Sequence, residues 1–259
     1  MTRSIHLALV GALAASSSTF AQHVGDIAAT IEGGAIATAA NTASGAVAER
    51  VFGATFGDTG IARFTTNPGI EALPGTFVAG SRLGFNAVAG LRRFTGSSVE
   101  TVADERLEVK FLTLVRDIGA EPVAGFDLAV QSNGGFHRHF NFTLKSAGAK
   151  LPASGIYVAE LELYSTDGTT GASAPFWIVF NDGRPAEELT DALAWVEENL
   201  ASDASACVAD LDGSGDVGAA DLGILLAAWG GLGADLDDDG ATGASDLSIL
   251  LAAWGSCAP

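Results

Sequence analysis

Oxygen-bearing side chains recur at a fixed spacing in two stretches of this sequence. In Ala209–Gly230, Asp210, Asp212, Ser214 and Asp221 take positions 1, 3, 5 and 12 of a loop with Gly215 at position 6. In Ala234–Gly255 the same positions carry Asp235, Asp237, Asp239 and Asp246 around Gly240. That is calcium chemistry: a hard cation wants six to eight oxygens, which a 12-residue loop supplies from alternate side chains and the carbonyl at position 7. Those carbonyls belong to Asp216 and Ala241. Both loops end in Asp, where the usual pattern ends in Glu. Ser214 stands where the second loop has a carboxylate, so two Ca2+ sites are expected and the first should be the weaker. A different chemistry is open to Phe136–Phe142, which reads FHRHFNF. On a strand, His137, His139, Asn141 and Thr143 share one face, and Phe136, Phe140, Phe142 and Leu144 share the other. Imidazoles at i and i+2 suit zinc or another borderline metal, with His23, beside Asp26, as a third ligand. A polar strand face meeting solvent accounts for the same residues.

Helices must hold these loops in place. Each loop runs into an apolar segment, Asp221–Gly230 (DLGILLAAWG) or Asp246–Gly255 (DLSILLAAWG), so position 12 opens a helix. Units this short cannot each bury a core, and the two must pack on one another. From Ala201 onward there are many Asp and no Lys or Arg. Such density repels itself over a screening length of about 8–10 Å unless a cation sits among it. The paired loops and helices resemble a type I dockerin, an EF-hand-like domain, over Cys207–Pro259. The resemblance implies a small all-α module of two calcium loop-helix repeats that docks exported bacterial proteins onto a cohesin-like partner. It assigns no partner-contacting residue here.

Met1–Ala21 reads as a secretory signal: Arg3 is the charged start, Leu7–Ala15 the apolar stretch and Thr19-Phe20-Ala21 the cleavage site. The expectation is a secreted or cell-surface protein starting at Gln22, with no membrane span. A formal charge of −18 over 259 residues argues against nucleic-acid phosphates as partners. The only two cysteines, Cys207 and Cys257, bracket the repeat pair. In an oxidising compartment an even count invites a disulfide, with two free thiols as the alternative. A bridge closing about 50 residues would contribute roughly 4 kcal/mol by chain entropy. Type I dockerins tend to bring their two ends together, which suits such a clasp.

Residues 22–184 read as an antiparallel β-sandwich, making the whole chain mainly β. Leu107–Val115, Val123–Val130, His137–Leu144, Gly155–Tyr164 and Phe176–Phe180 are the strand candidates, separated by Gly-rich turns. The stretch from Ile31 to Gly60 reads as strands with long loops. A connector helix is expected over 185–200, with Pro185 at or near its first position and Leu189, Leu193, Val196 and Leu200 as one apolar stripe. Residues 201–206 read as a linker and 207–259 as the docking module. His23 with Asp26, the His137–Phe142 strand and the strand from Gly155 also resemble a group of bacterial surface-anchored β-domains. Some of that group are under zinc-responsive control, which implies a metal role for His23, His137 and His139.

A polysaccharide-degrading hydrolase or carbohydrate-binding component carrying the same tether is the alternative. A glycosidase needs two carboxylates about 5–10 Å apart flanking a sugar. Glu160 and Glu162 share a strand face, and Trp177 and Trp195 are the aromatic candidates, but no pattern singles them out. The reading favoured by the residues is a binding or structural domain.

Overall fold

The computed structural model describes residues 25–148, 150–201, 209–212, 214, 216–237 and 239–256. In chain order the first strands are β1 (Ile27–Glu32), β2 (Ala35–Thr42), β3 (Gly45–Ala48), β4 (Val51–Thr55), β5 (Phe64–Thr65) and β6 (Ile70–Ala72). Next come β7 (Arg82–Ala87), β8 (Arg92–Phe94), β9 (Val99–Thr101), β10 (Glu105–Phe111), β11 (Leu114–Ile118) and β12 (Val123–Ala129). Then follow β13 (Phe136–Arg138), β14 (Asn141–Ser146), β15 (Gly155–Ser165) and β16 (Phe176–Asp182). Helix α1 (Ala186–Val196) continues into a π-helical turn, Glu197–Ala201. In the tail lie β17 (Asp216–Val217), α2 (Ala219–Ala227), α3 (Ala244–Ala252) and β18 (Gly255–Ser256).

Three sheets share one core. Their orders are β13-β6-β1-β2-β3, β11-β10-β14-β5 and β12-β7-β15-β16-β4, with β8 and β9 attached beside β15. Ile27 and Phe136 from the first sheet meet Leu107 and Phe142 from the second, and Phe85, Leu163 and Phe180 from the third, in one continuous apolar cluster. Phe142 and Phe180 lie 5.2 Å apart between ring centres, joining the second sheet to the third. The other face of β15 and β16 presents Ile156, Val158, Trp177 and Val179 to Ala192 and Val196 of α1. Every residue of β16 is therefore buried. That double coverage is why FWIVF is apolar without alternation.

The expected antiparallel sandwich is corrected to three sheets of which the first and third are mixed: β1 pairs β6 in parallel, and β16 pairs β4 in parallel. Both are pairings between strands distant in sequence, which local turn signals do not encode. Leu107–Val115 is not one strand but a hairpin, β10 and β11, turning at Leu112, whose φ is 52°. Strand-favouring residues continue across the turn, with no Gly, Pro, Asn or Asp to mark it, so composition alone misses it. The expected strand His137–Leu144 is broken at His139-Phe140, where the chain leaves the first sheet and enters the second. Long loops are not what joins β1 to β3. Gly33-Gly34, with φ of 56° and 89°, makes a tight hairpin turn that requires residues without a Cβ. Ala201, taken as the start of a linker, is buried at the end of the π turn, its carbonyl accepting from Arg50 Nη1 at 3.0 Å.

The all-α expectation for the tail is also overturned. Besides α2 and α3 it contains an antiparallel ladder, in which Asp216 faces Ser256 and Val217 faces Gly255. The equivalent residues of the other repeat exchange backbone bonds as well: Gly230 N donates to Thr242 O at 2.9 Å and Thr242 N to Gly231 O at 2.6 Å. Each loop thus pairs with the chain leaving the other repeat's helix. Extended backbone at positions 7 and 8 of a loop has unpaired groups, and the partner repeat supplies their match. Ala209, Val217, Leu225, Ala234 and Leu250 form the shared core beneath.

Candidate metal centres

Three groups of potential ligands are brought together among the described residues: Asp210 with Asp212 and Asp221, Asp235 with Asp237 and Asp246, and Asp26 with His137 and His139.

In each tail loop one carboxylate oxygen from positions 1, 3 and 12 lies within 4.8 Å of the others. A calcium ion bound at 2.3–2.6 Å needs its oxygens no more than about 5 Å apart, so the span fits. Position 12 is the best held. Asp221 Oδ1 accepts from Leu211 N at 2.8 Å and Asp212 N at 3.1 Å, and its Oδ2 from Gly218 N at 2.6 Å. Asp246 repeats this with Leu236 N at 2.6 Å, Asp237 N at 3.3 Å and Gly243 N at 2.5 Å. Both carboxyls are driven below the usual carboxylate range, chiefly by the amides of Gly218 and Gly243 respectively. Amides accepted by an ionised group favour its charged form. The short Asp side chain is thereby drawn in at the helix start, in a place where Glu would reach further.

The remaining positions differ between loops. Asp239 Oδ1 accepts from Ala241 N at 2.9 Å, and Asp235 takes the amides of Asp239 and Gly240 at 3.1 and 2.8 Å. Ser214 Oγ donates instead to the position-7 carbonyl of Asp216 at 3.1 Å. The first loop has one fewer charged oxygen. Cys207 and Cys257, read as a bridged pair, lie outside the described residues.

The third group forms at one end of the first sheet. There β6 runs between β1 and β13, with Ile27, Ile70 and Arg138 in one row. Asp26, Gly69 and His139 make the next row out. Ile27 N donates to Gly69 O at 2.9 Å, and Gly69 N to Asp26 Oδ1 at 2.8 Å, which fixes the carboxylate. His137 sits two residues back from His139, opposite Glu71. Glu71 is buried and accepts from Asn41 Nδ2. His139 Nε2 lies 3.3 Å from Asp26 Oδ2 and 3.3 Å from His137 Nε2, and His137 Nε2 lies 3.8 Å from Asp26 Oδ2. Asp26 is 3% exposed, whereas the two imidazole side chains are about one-third exposed, at 36% and 31%.

Gly69 makes this meeting possible. A Cβ there would sit 2.7 Å from His139 Cε1, 2.8 Å from its Nε2 and 2.9 Å from Asp26 Oδ2. Residues in one row of a sheet share a face, so the middle one must have no side chain for its neighbours to touch over it.

No family model matches this chain, and no curated protein matches it.

His23, expected as the third ligand, lies outside the described residues. Asp26, noted only as its neighbour, is the residue found against the two histidines. Gly69 and Thr66, which frame the group, carried no signal in the sequence, because a parallel pairing across about 40 residues brings them in. The carboxylates and indoles weighed for a sugar site are engaged elsewhere. Glu160 pairs with Arg92, and Glu162 accepts from Asn86 Nδ2 at 2.8 Å. Trp177 is buried beneath the Arg50 guanidinium, and Trp195 packs on Phe94. No helix among the described residues is long and apolar enough to cross a membrane.

Proposed function

We propose that this is an exported β protein held in place by its C-terminal repeats, which bind two calcium ions and in that state dock onto a cohesin-like partner. One observation carries the reading: in both repeats the carboxylates of positions 1, 3 and 12 converge within 4.8 Å, at the spacing one calcium ion spans. Reciprocal pairing of each loop with the other repeat's exit strand supports it, since ordering one loop then orders the other. Leu226 and Leu251, and Trp229 and Trp254, are about half exposed at equivalent positions of the two repeats. Duplicated exposed apolar side chains of this size suit a protein-binding face.

Calcium titration of the full chain, followed by amide exchange across 219–227 and 244–252, tests the proposal. Calcium should raise the protection of both helices above its level in chelator; identical exchange in the two conditions would end it. Asp235→Ala should remove the tighter site and Asp210→Ala the weaker one. Equal losses would contradict the distinction drawn between Ser214 and Asp239.

A further inference from the structure

We propose that Asp26, His137 and His139 bind a first-row divalent transition metal, zinc foremost, at the end of the first sheet. This goes beyond the docking role and is independent of the calcium loops. The three ligand atoms form a triangle of sides 3.3, 3.3 and 3.8 Å. The point equidistant from such a triangle's corners is about 2 Å from each, the length of a zinc bond to imidazole nitrogen or carboxylate oxygen. Two imidazoles and one carboxylate are borderline donors, suited to zinc and its neighbours rather than to calcium or magnesium.

The hydrogen bonding around the group agrees. His139 Nδ1 lies 3.0 Å from Thr66 O, and a carbonyl only accepts, so Nδ1 carries the proton. Nε2 is then the nitrogen that faces Asp26 Oδ2, at 3.3 Å, and His137 Nε2, also at 3.3 Å. A proton could serve one pair of these atoms; a metal ion serves all three corners at once. Backbone support of the far ring nitrogen is the usual means of orienting a metal-binding histidine. Asp26 is likewise oriented by the Gly69 amide on its other oxygen. The imidazoles are about one-third exposed, so an ion can enter from solvent.

The test uses the full chain, stripped of metal and then held in saturating calcium so that the tail loops do not compete. Zinc titrated by calorimetry should bind at one equivalent through this site, and cobalt should give the absorption of a nitrogen- and oxygen-ligated ion. His139→Ala and Asp26→Asn should each weaken zinc by about 100-fold or more. The asparagine keeps the acceptor for Gly69 N and so guards against misfolding. His137→Gln provides a second fold-preserving variant with the same expected loss. Absence of zinc binding up to about 1 mM, or an unchanged equivalent in the double variant His137→Ala/His139→Ala, would overturn the proposal.

Discussion

Leu225→Ala tests whether the two repeats form one structure. Leu225 and Leu250 are both 0% exposed and occupy the same position in the two repeats. With Ala209, Val217 and Ala234 they make up the buried core of the tail among the described residues, and they are its largest side chains. Truncating a fully buried leucine costs about 3–5 kcal/mol, part for lost transfer energy and part for the cavity left behind. A module of this size has a total stability of about 3–8 kcal/mol. One substitution should therefore remove a large share of the calcium-free tail's stability. Calcium at a hundred times its dissociation constant restores about 2.7 kcal/mol per site, enough to offset much of that loss. Amide exchange by mass spectrometry on the full chain is the assay. In chelator, Leu225→Ala should lose protection not only in α2 but also across α3, which it does not alter. Leu226→Ala, whose side chain is half exposed, should change protection by less than about 1 kcal/mol. If α3 stays protected in Leu225→Ala, the repeats are separate units and the reciprocal pairing of loops and exit strands contributes nothing to stability.

The tail should also be acid-sensitive. Asp221 and Asp246 have carboxyls held below their unfolded value, so what they contribute is present above about pH 4 and is lost as pH falls through the folded value. Circular dichroism in chelator should show helix lost on acidification. Asp221→Asn with Asp246→Asn should be less stable at neutral pH and flatten that dependence, and a tail that gains stability on acidification would contradict the sign. In the β domain, Gly125→Ala places a Cβ 2.0 Å from the Phe85 carbonyl oxygen, where backbone must move, and should cost about 3 kcal/mol by urea denaturation. Gly119→Ala meets nothing nearer than Arg106 Nη1 at 3.5 Å and should fall within about 0.5 kcal/mol of wild type.

Much of the tail is legible in the residues because its information is local. A loop of twelve residues names the carboxylates that converge and the helix it leads into, and a second copy repeats the spacing. The ladder between Asp216–Val217 and Gly255–Ser256 was not legible, since two residues of pairing across about 40 positions leave no pattern. In the β domain the doubly covered strand β16 announces itself by a continuous apolar run. Its parallel partner β4 does not, because a strand's composition records burial rather than the neighbour that buries it.

The group of Asp26, His137 and His139 divides along the same line. Residue types determined by themselves that His137 and His139 stand two apart in an aromatic segment, close enough for one ion. They did not determine that the segment breaks at His139-Phe140, nor that Asp26 is the acid against it. Those facts depend on β6 lying between β1 and β13, a pairing of segments far apart in the chain. Spacing in sequence sets which side chains one element can present; only the packing of elements sets which of them meet, because contact is a property of rows across a sheet and not of positions along a strand.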